Sequence, residues 1–186
     1  MGTGQRRKAT YADLEAVPPH LVAELVDGEL YTSPRPASPH VFAHGALHHE
    51  LYGPFSLGRG GPGGWLILSE PELHLGEDVL VPDIAGWRRE RMPVMPEVVG
   101  FTLAPDWVCE VLSPSTEVLD REKKMKVYAR EGVRHLWLVD PLRRALEVYA
   151  LDGGHWKTLG THAGQAYVHA EPFTPLRLEL GLLWQR

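Results

Sequence analysis

Glu110 stands inside an apolar run, Trp107-Val108-Cys109-Glu110-Val111-Leu112, bounded by Pro105 and Pro114. A run of this length between prolines reads as a buried strand. A bare carboxylate inside it costs several kcal/mol unless something pairs with it. Strand alternation puts Val108, Glu110 and Leu112 on one face and Trp107, Cys109 and Val111 on the other, so Glu110 shares its face with two apolar side chains. Any fold open to this chain must bring a cation to that face.

A second acid raises the same question. In "VLVPDIAGW" Asp83 follows Pro82 between two apolar stretches; aspartate is poor in strands, and the proline implies an edge or a bulge. Two costly carboxylates on two strands suggest one shared site. The cation that holds them is either a divalent metal or a nearby Lys or Arg.

The segment after the Glu110 strand, "SPSTEVLDREKKMKVYAREGV", has the strongest helix pattern in the chain, with Ser, Thr and Pro at its start and Gly132 as a stop. At roughly 100° per residue, Lys123, Lys126 and Arg130 cluster on one side, and Met125, Val127, Tyr128 and Ala129 form the apolar arc. Lys124 projects into that arc, and Asp120, four residues earlier, is placed to orient it. The plain alternative is an ordinary surface pair.

An Asp, a Glu on a neighbouring strand and a Lys together are the parts of metal-dependent phosphodiester cleavage. The carboxylates hold the metal, and the lysine positions a water or balances charge. Hard oxygen ligands suit Mg²⁺ or Mn²⁺ over zinc.

The rest of the chain reads as one α/β domain. "TYADLEAV" is a short helix capped by Thr10, and "HLVAELVDGELYTSP" is a hairpin turning at Asp27-Gly28. "SPHVFAHGALHHELYGPF" has apolar residues at Val41, Phe42, Leu47 and Leu51, a helical spacing ending near Gly53-Pro54. A glycine loop, two strand-like segments joined near Gly76-Glu77-Asp78, and a proline-rich connection from Met92 to Pro105 follow. Past the Lys124 helix come the strand "HLWLVDP" and a hairpin around Asp152-Gly153-Gly154. Residues 1–9 are polar and basic and read as a frayed tail.

With 186 residues, 44% of them hydrophobic, the chain has the length of one well-filled domain. No apolar run approaches the roughly 18 to 20 residues of a membrane span, and the first residues lack the apolar core of a signal peptide, so the expected location is cytoplasmic. The lone Cys109 reads as a small buried hydrophobe. A net charge of -5 argues against coating nucleic acid by bulk electrostatics, yet leaves room for a local basic patch beside a metal.

Several motifs, in order along the chain, are similar to the Uma-two family of putative restriction endonucleases, within the PD-(D/E)XK nuclease superfamily. They are "ELVDGEL", "SPHVFAHGAL", "VPDIAGW", "CEVLSPST", "DREKKMKVYAREGVRHLWLVDP" and "ALEVYAL". The resemblance implies a restriction-endonuclease-like α+β fold over residues 1–186, a mixed central sheet flanked by helices. It implies an endonuclease hydrolysing DNA with Mg²⁺ or Mn²⁺.

By position, Asp83 matches the family's Asp after Pro, Glu110 its strand Glu, Glu24 the Glu before the "DGEL" turn, and Lys124 the helical Lys. Asp83 and Glu110 are then the metal ligands, and Glu24 a further ligand or a water-orienting acid. The superfamily's lysine two residues after the Glu is absent, since that position is Leu112; Lys124 is the candidate for a migrated lysine. The alternative is a catalytically inactive nuclease-fold protein binding nucleic acid or a partner protein. A homodimer stays open.

Other residues carry weaker signals. His40, His44 and His48 fall four apart but lack the Glu of a metalloprotease helix, and the family often has a His at the His40 position. Glu70 and Glu72 flank Pro71, as metal ligands or as solvated acids. Asp140 before Pro141 suits a turn. Arg88, Arg89 and Arg91, with Lys123, Lys126 and Arg130, are placed to touch phosphates or to face water. Trp107 and Trp137 read as core.

Overall fold

The computed structural model describes residues 7–185. Helix α1 (Tyr11–Glu15) opens on a capping box: the Asp13 N–H donates to the Thr10 hydroxyl and the Thr10 N–H to the Asp13 carboxylate. Strands β1 (Leu21–Val26) and β2 (Glu29–Pro34) form the expected hairpin. Its turn needs positive φ at both central positions, met by Asp27 at 53° and Gly28 at 77°. Of the expected tail, residues 1–6 lie outside the described residues. Residues 7–9 are tied down, because the Ala9 N–H donates to the Gly28 carbonyl at 2.9 Å and Lys8 pairs with Glu77.

Helix α2 (Ser38–Leu51) runs into a wider π-type turn at Tyr52–Ser56 that takes in Gly53-Pro54. Its buried face is His40, Ala43, Leu47 and Leu51, whereas Val41 and Phe42 are exposed. The apolar face expected from sequence is thus half corrected. Apolar residues fall on both sides of this helix, so periodicity does not choose a face, and packing against the sheet does.

Each of the two strand-like segments before Arg88 splits in two. The first gives β3 (Trp65–Ser69) and β4 (Glu72–Leu75); the second gives β5 (Asp78–Leu80) and β6 (Ile84–Arg88). The breaks fall at Glu70-Pro71 and at Val81-Pro82-Asp83, where proline removes a ladder donor. β3 and β6 lie in one sheet, and β4 and β5 in another. The Glu70 N–H donates to the Asp83 carbonyl at 2.9 Å, joining the two crossing points. Asp83 therefore sits at the seam between sheets and not inside a strand.

The proline-rich connection contributes the short strand β7 (Gly100–Phe101), and the Glu110 run is β8 (Trp107–Val111). Next come α3 (Glu117–Leu119), a π-type turn over Asp120–Lys124, and α4 (Met125–Arg130). The expected regular helix is thus interrupted by one widened turn. β9 (His135–Asp140), β10 (Ala145–Asp152) and β11 (His155–Ala163) follow. A small pair, β12 (Tyr167–Val168) and β13 (Leu178–Glu179), precedes a short 3₁₀ turn at Leu180–Leu183.

The main sheet has six strands in the order β11-β10-β9-β8-β6-β3, with β8 and β9 parallel and the other neighbours antiparallel. A second sheet has the order β2-β1-β5-β4-β7. One central sheet was expected, and the split strands supply the second. Alternation along β8 holds as read. Trp107, Cys109 and Val111 enter the core beneath α2, while Val108 and Leu112 enter the core shared with Val127 and Tyr128.

Phe173 lies among the rings of Phe55, Trp65, Trp107 and Trp137, with centroids 4.6, 4.9, 4.8 and 5.7 Å away. Trp107 and Trp137 are core, as expected. Phe173→Ala should lower unfolding stability by about 3 to 5 kcal/mol in urea titrations, the usual cost of emptying a buried phenylalanine site. A loss below about 1 kcal/mol would mean that the aromatic cluster closes over the gap.

Candidate active site

The cation that Glu110 needs is Lys124. Its Nζ lies 2.9 Å from Glu110 Oε1, 2.9 Å from Glu24 Oε1 and 3.3 Å from Asp120 Oδ1. Lys124 is 2% exposed, Glu110 2%, Asp120 3% and Glu24 5%. The surface-pair alternative for Asp120 and Lys124 is therefore excluded. Three elements converge here: Glu24 comes from β1, Glu110 from β8, and Asp120 and Lys124 from the two ends of one π-type turn.

Local hydrogen bonds hold the acids in place. Tyr128, one turn beyond Lys124 on α4, donates its hydroxyl to Glu110 Oε1 at 2.5 Å. Glu24 Oε1 accepts the Val81 N–H at 2.8 Å, and Asp83 Oδ2 accepts the Val111 N–H at 2.7 Å. In both cases a carboxylate takes a backbone amide near the point where ladder pairing stops at the seam. The other Asp83 oxygen, Oδ1, is 3.0 Å from His40 Nε2. Since a carboxylate only accepts, that ring nitrogen carries the proton.

The electrostatics follow from burial. Burial alone would lower the Lys124 pKa, but Glu110 and Glu24 outweigh it and hold the ammonium charged, well above its usual range. Burial pushes the Glu110 carboxyl up against the opposing pull of Lys124. Burial likewise pushes Asp120 up to about 6, again opposed by Lys124. Burial and the Glu110 carboxylate keep the Tyr128 hydroxyl protonated. The cluster thus holds more acid than one lysine neutralises.

These residues floor a pocket of about 250 Å³, whose walls include Asp83, His40, Ser113 and Thr116. The structure brings Glu24, Glu110, Lys124 and Asp83 to this one pocket. Among the described residues, no three His, Cys, Asp or Glu donors converge as a ready-made metal cage.

Other sequence candidates separate from it. His44 contacts Ser69 and His48 stacks on Tyr52, so the three histidines do not converge. Glu72 accepts from Tyr11 and pairs with His74, away from the pocket, whereas Glu70 lies on the pocket rim. Asp140 accepts the Leu142 and Arg143 N–H groups, as a turn residue does. Arg88 lies over the Trp65 ring, and Arg91 pairs with Asp106 at the far end of β6 from Asp83. Arg130 pairs with Asp78 and Glu131. None of these arginines lines the pocket. Cys109 is fully buried, and burial raises its thiol pKa.

Tyr128, which holds Glu110, and Arg35, which lines the pocket, escape sequence reading. Tyr128 was assigned to the apolar arc, although a buried tyrosine hydroxyl itself calls for a partner. Arg35, in "SPRPAS", carries no signal that marks it.

The mixed sheet flanked by helices has a restriction-endonuclease-like fold. The structure is similar to the crystal structure of a putative nuclease from Anabaena variabilis, with a TM-score of 0.75 and 22% identity over 95% of this chain and 97% of that one. The model of the family Uma2, described as "Putative restriction endonuclease", matches residues 9–182, and the chain belongs to that family. A search of curated proteins found no match. No helix among the described residues is long and apolar enough to cross a membrane.

The raised Asp120 pKa makes stability pH-dependent. With a folded value of about 6 against an ordinary 3.8, the native state keeps a proton that the unfolded chain has released. This contribution is fully present below the unfolded value and is lost as pH rises through the folded one, about 3 kcal/mol in all. In EDTA, the stability of Asp120→Asn relative to wild type should therefore rise by about that much between about pH 4 and about pH 7. A constant difference in urea titrations would show Asp120 ionised throughout.

Proposed function

We propose that the chain is a metal-dependent endonuclease that hydrolyses DNA phosphodiester bonds, with Asp83 and Glu110 holding Mg²⁺ or Mn²⁺ and Lys124 positioning the attacking water. The observation that carries this reading is the buried Lys124 ammonium, held between Glu24 and Glu110 at the floor of a pocket that Asp83 also lines.

The donor set suits such an ion. Asp83, Glu110, Glu24 and Asp120 line the pocket with Lys124 and His40, four acids against one lysine and one histidine, an acidic excess that a divalent cation would discharge. Mg²⁺ keeps several waters and takes only one or two carboxylates, so it does not require a third protein donor. When bound, it neutralises phosphate charge and lowers the pKa of a coordinated water.

The chain's own residues supply the rest. The Val111 N–H and His40 fix the Asp83 carboxylate from both sides, which presents it in one orientation. Tyr128 and Lys124 do the same for Glu110. Of the three carboxylates around the Lys124 ammonium, Asp120 is the farthest at 3.3 Å, so its contact is the one a water would replace. Glu24 keeps the ammonium in place during that exchange. The water oxygen attacks phosphorus and gives up a proton to solvent, the bond to the leaving sugar oxygen breaks and that oxygen takes up a proton from solvent, and Lys124 balances the charge that develops. Leu112 stays 3% exposed in the core, so Lys124 takes over the position-specific lysine's part from the helix.

Wild-type protein with Mg²⁺ or Mn²⁺ should nick or linearise supercoiled plasmid, and Asp83→Asn and Lys124→Met should each slow this by at least about 100-fold. Cleavage unaffected by Asp83→Asn would sink the assignment. Calorimetric binding of Mn²⁺ without any cleavage would favour a nuclease-fold binding protein, the reading that Leu112 motivates.

A further inference from the structure

A DNA substrate brings negative charge to a pocket that is already acidic, so some cation besides Lys124 must meet the phosphates. Most basic side chains near the site are committed elsewhere: Lys123 lies near Asp27, Arg130 on Asp78, Arg121 on Glu147, and Arg143 on Glu117 and Asp140. Arg35 is different. Among the described residues it is the one arginine lining the pocket that holds Asp83, Glu110 and Lys124. Among the described residues it forms no ion pair, and its single hydrogen bond is a long 3.3 Å contact from Nη2 to the Pro19 carbonyl.

Its position suits a polymer better than a small molecule. Arg35 also lines the two neighbouring depressions, of about 340 and 500 Å³, so it stands where three contiguous hollows meet. Across the same pocket, Ser113, Ser115 and Thr116 supply hydroxyls without adding charge. A guanidinium with free N–H groups matches the two non-bridging oxygens of a phosphodiester. Pro34 and Pro36 on either side restrict the backbone that carries it.

We propose that Arg35 is a substrate-binding residue that grips a DNA backbone phosphate at the mouth of the pocket and so positions the neighbouring scissile phosphate over Asp83 and Glu110. This rests on the endonuclease reading above. The contact is to the backbone, so it should strengthen binding regardless of base sequence.

The test uses the full chain and a fluorescein-labelled DNA duplex, with Ca²⁺ in place of Mg²⁺ for anisotropy and Mg²⁺ for cleavage. Arg35→Gln should weaken binding about tenfold and reduce the slope of log Kd against log salt by about 1, as loss of one phosphate contact requires. KM should rise with kcat nearly unchanged, and Arg35→Lys should recover part of the binding by restoring the charge. The melting temperature and calorimetric Mn²⁺ binding of Arg35→Gln should match wild type, because Arg35 touches none of the acids.

If the wild type binds and cleaves DNA while Arg35→Gln keeps the same affinity and salt slope, the Arg35 assignment fails and the endonuclease reading stands. If Arg35→Gln loses activity with the salt slope unchanged, Arg35 is structural and the assignment fails. If the wild type neither binds nor cleaves DNA, the endonuclease reading fails and takes the Arg35 role with it.

Discussion

The buried ammonium of Lys124 is the interaction on which the rest depends. A charge this far from water is tolerated only when paired and hydrogen-bonded, and here three carboxylates from separate elements meet it. It ties β1 of one sheet to β8 of the other through a helix that belongs to neither. Removing either side would leave uncompensated charge between two hydrophobic cores. The same contacts therefore join the sheets and set the geometry of the pocket floor.

The seam explains why the acids are available there. Where proline interrupts the chain between β5 and β6, the backbone amides of Val81 and Val111 turn to side chains, and Glu24 and Asp83 accept them. Irregular backbone at this point thus gives two carboxylates fixed orientations at no cost in orphaned donors. The π-type turn acts similarly on the helix: it directs Asp120 and Lys124 together toward the pocket while Glu122 stays exposed. Widened turns of this kind recur at functional sites because they re-aim side chains without ending a helix.

Much of the site was legible because its residues violate local expectation. A glutamate in an apolar strand, an aspartate after proline and a lysine in an apolar arc each break the pattern around them, and the three meet at one pocket. Tyr128, Arg35 and the role of His40 were harder to read. Tyr128 fits an apolar arc by shape, and Arg35 sits in a proline-rich stretch where an arginine is unremarkable. The exposed Val41 and Phe42 show the reverse case, in which apolar residues were assigned to a face that tertiary packing turned outward.

The sequence by itself determined the alternation along β8, the Asp27-Gly28 hairpin, the cap at Thr10 and the stop at Gly132, because each depends on neighbours a few residues away. Tertiary structure alone decided that strands would divide between two sheets, which face α2 would bury, and which distant acids Lys124 would meet. Periodicity gives a side chain its direction relative to its own backbone. What stands in that direction depends on sheet order and on where the chain crosses between sheets, and those are set by burial of the whole chain at once.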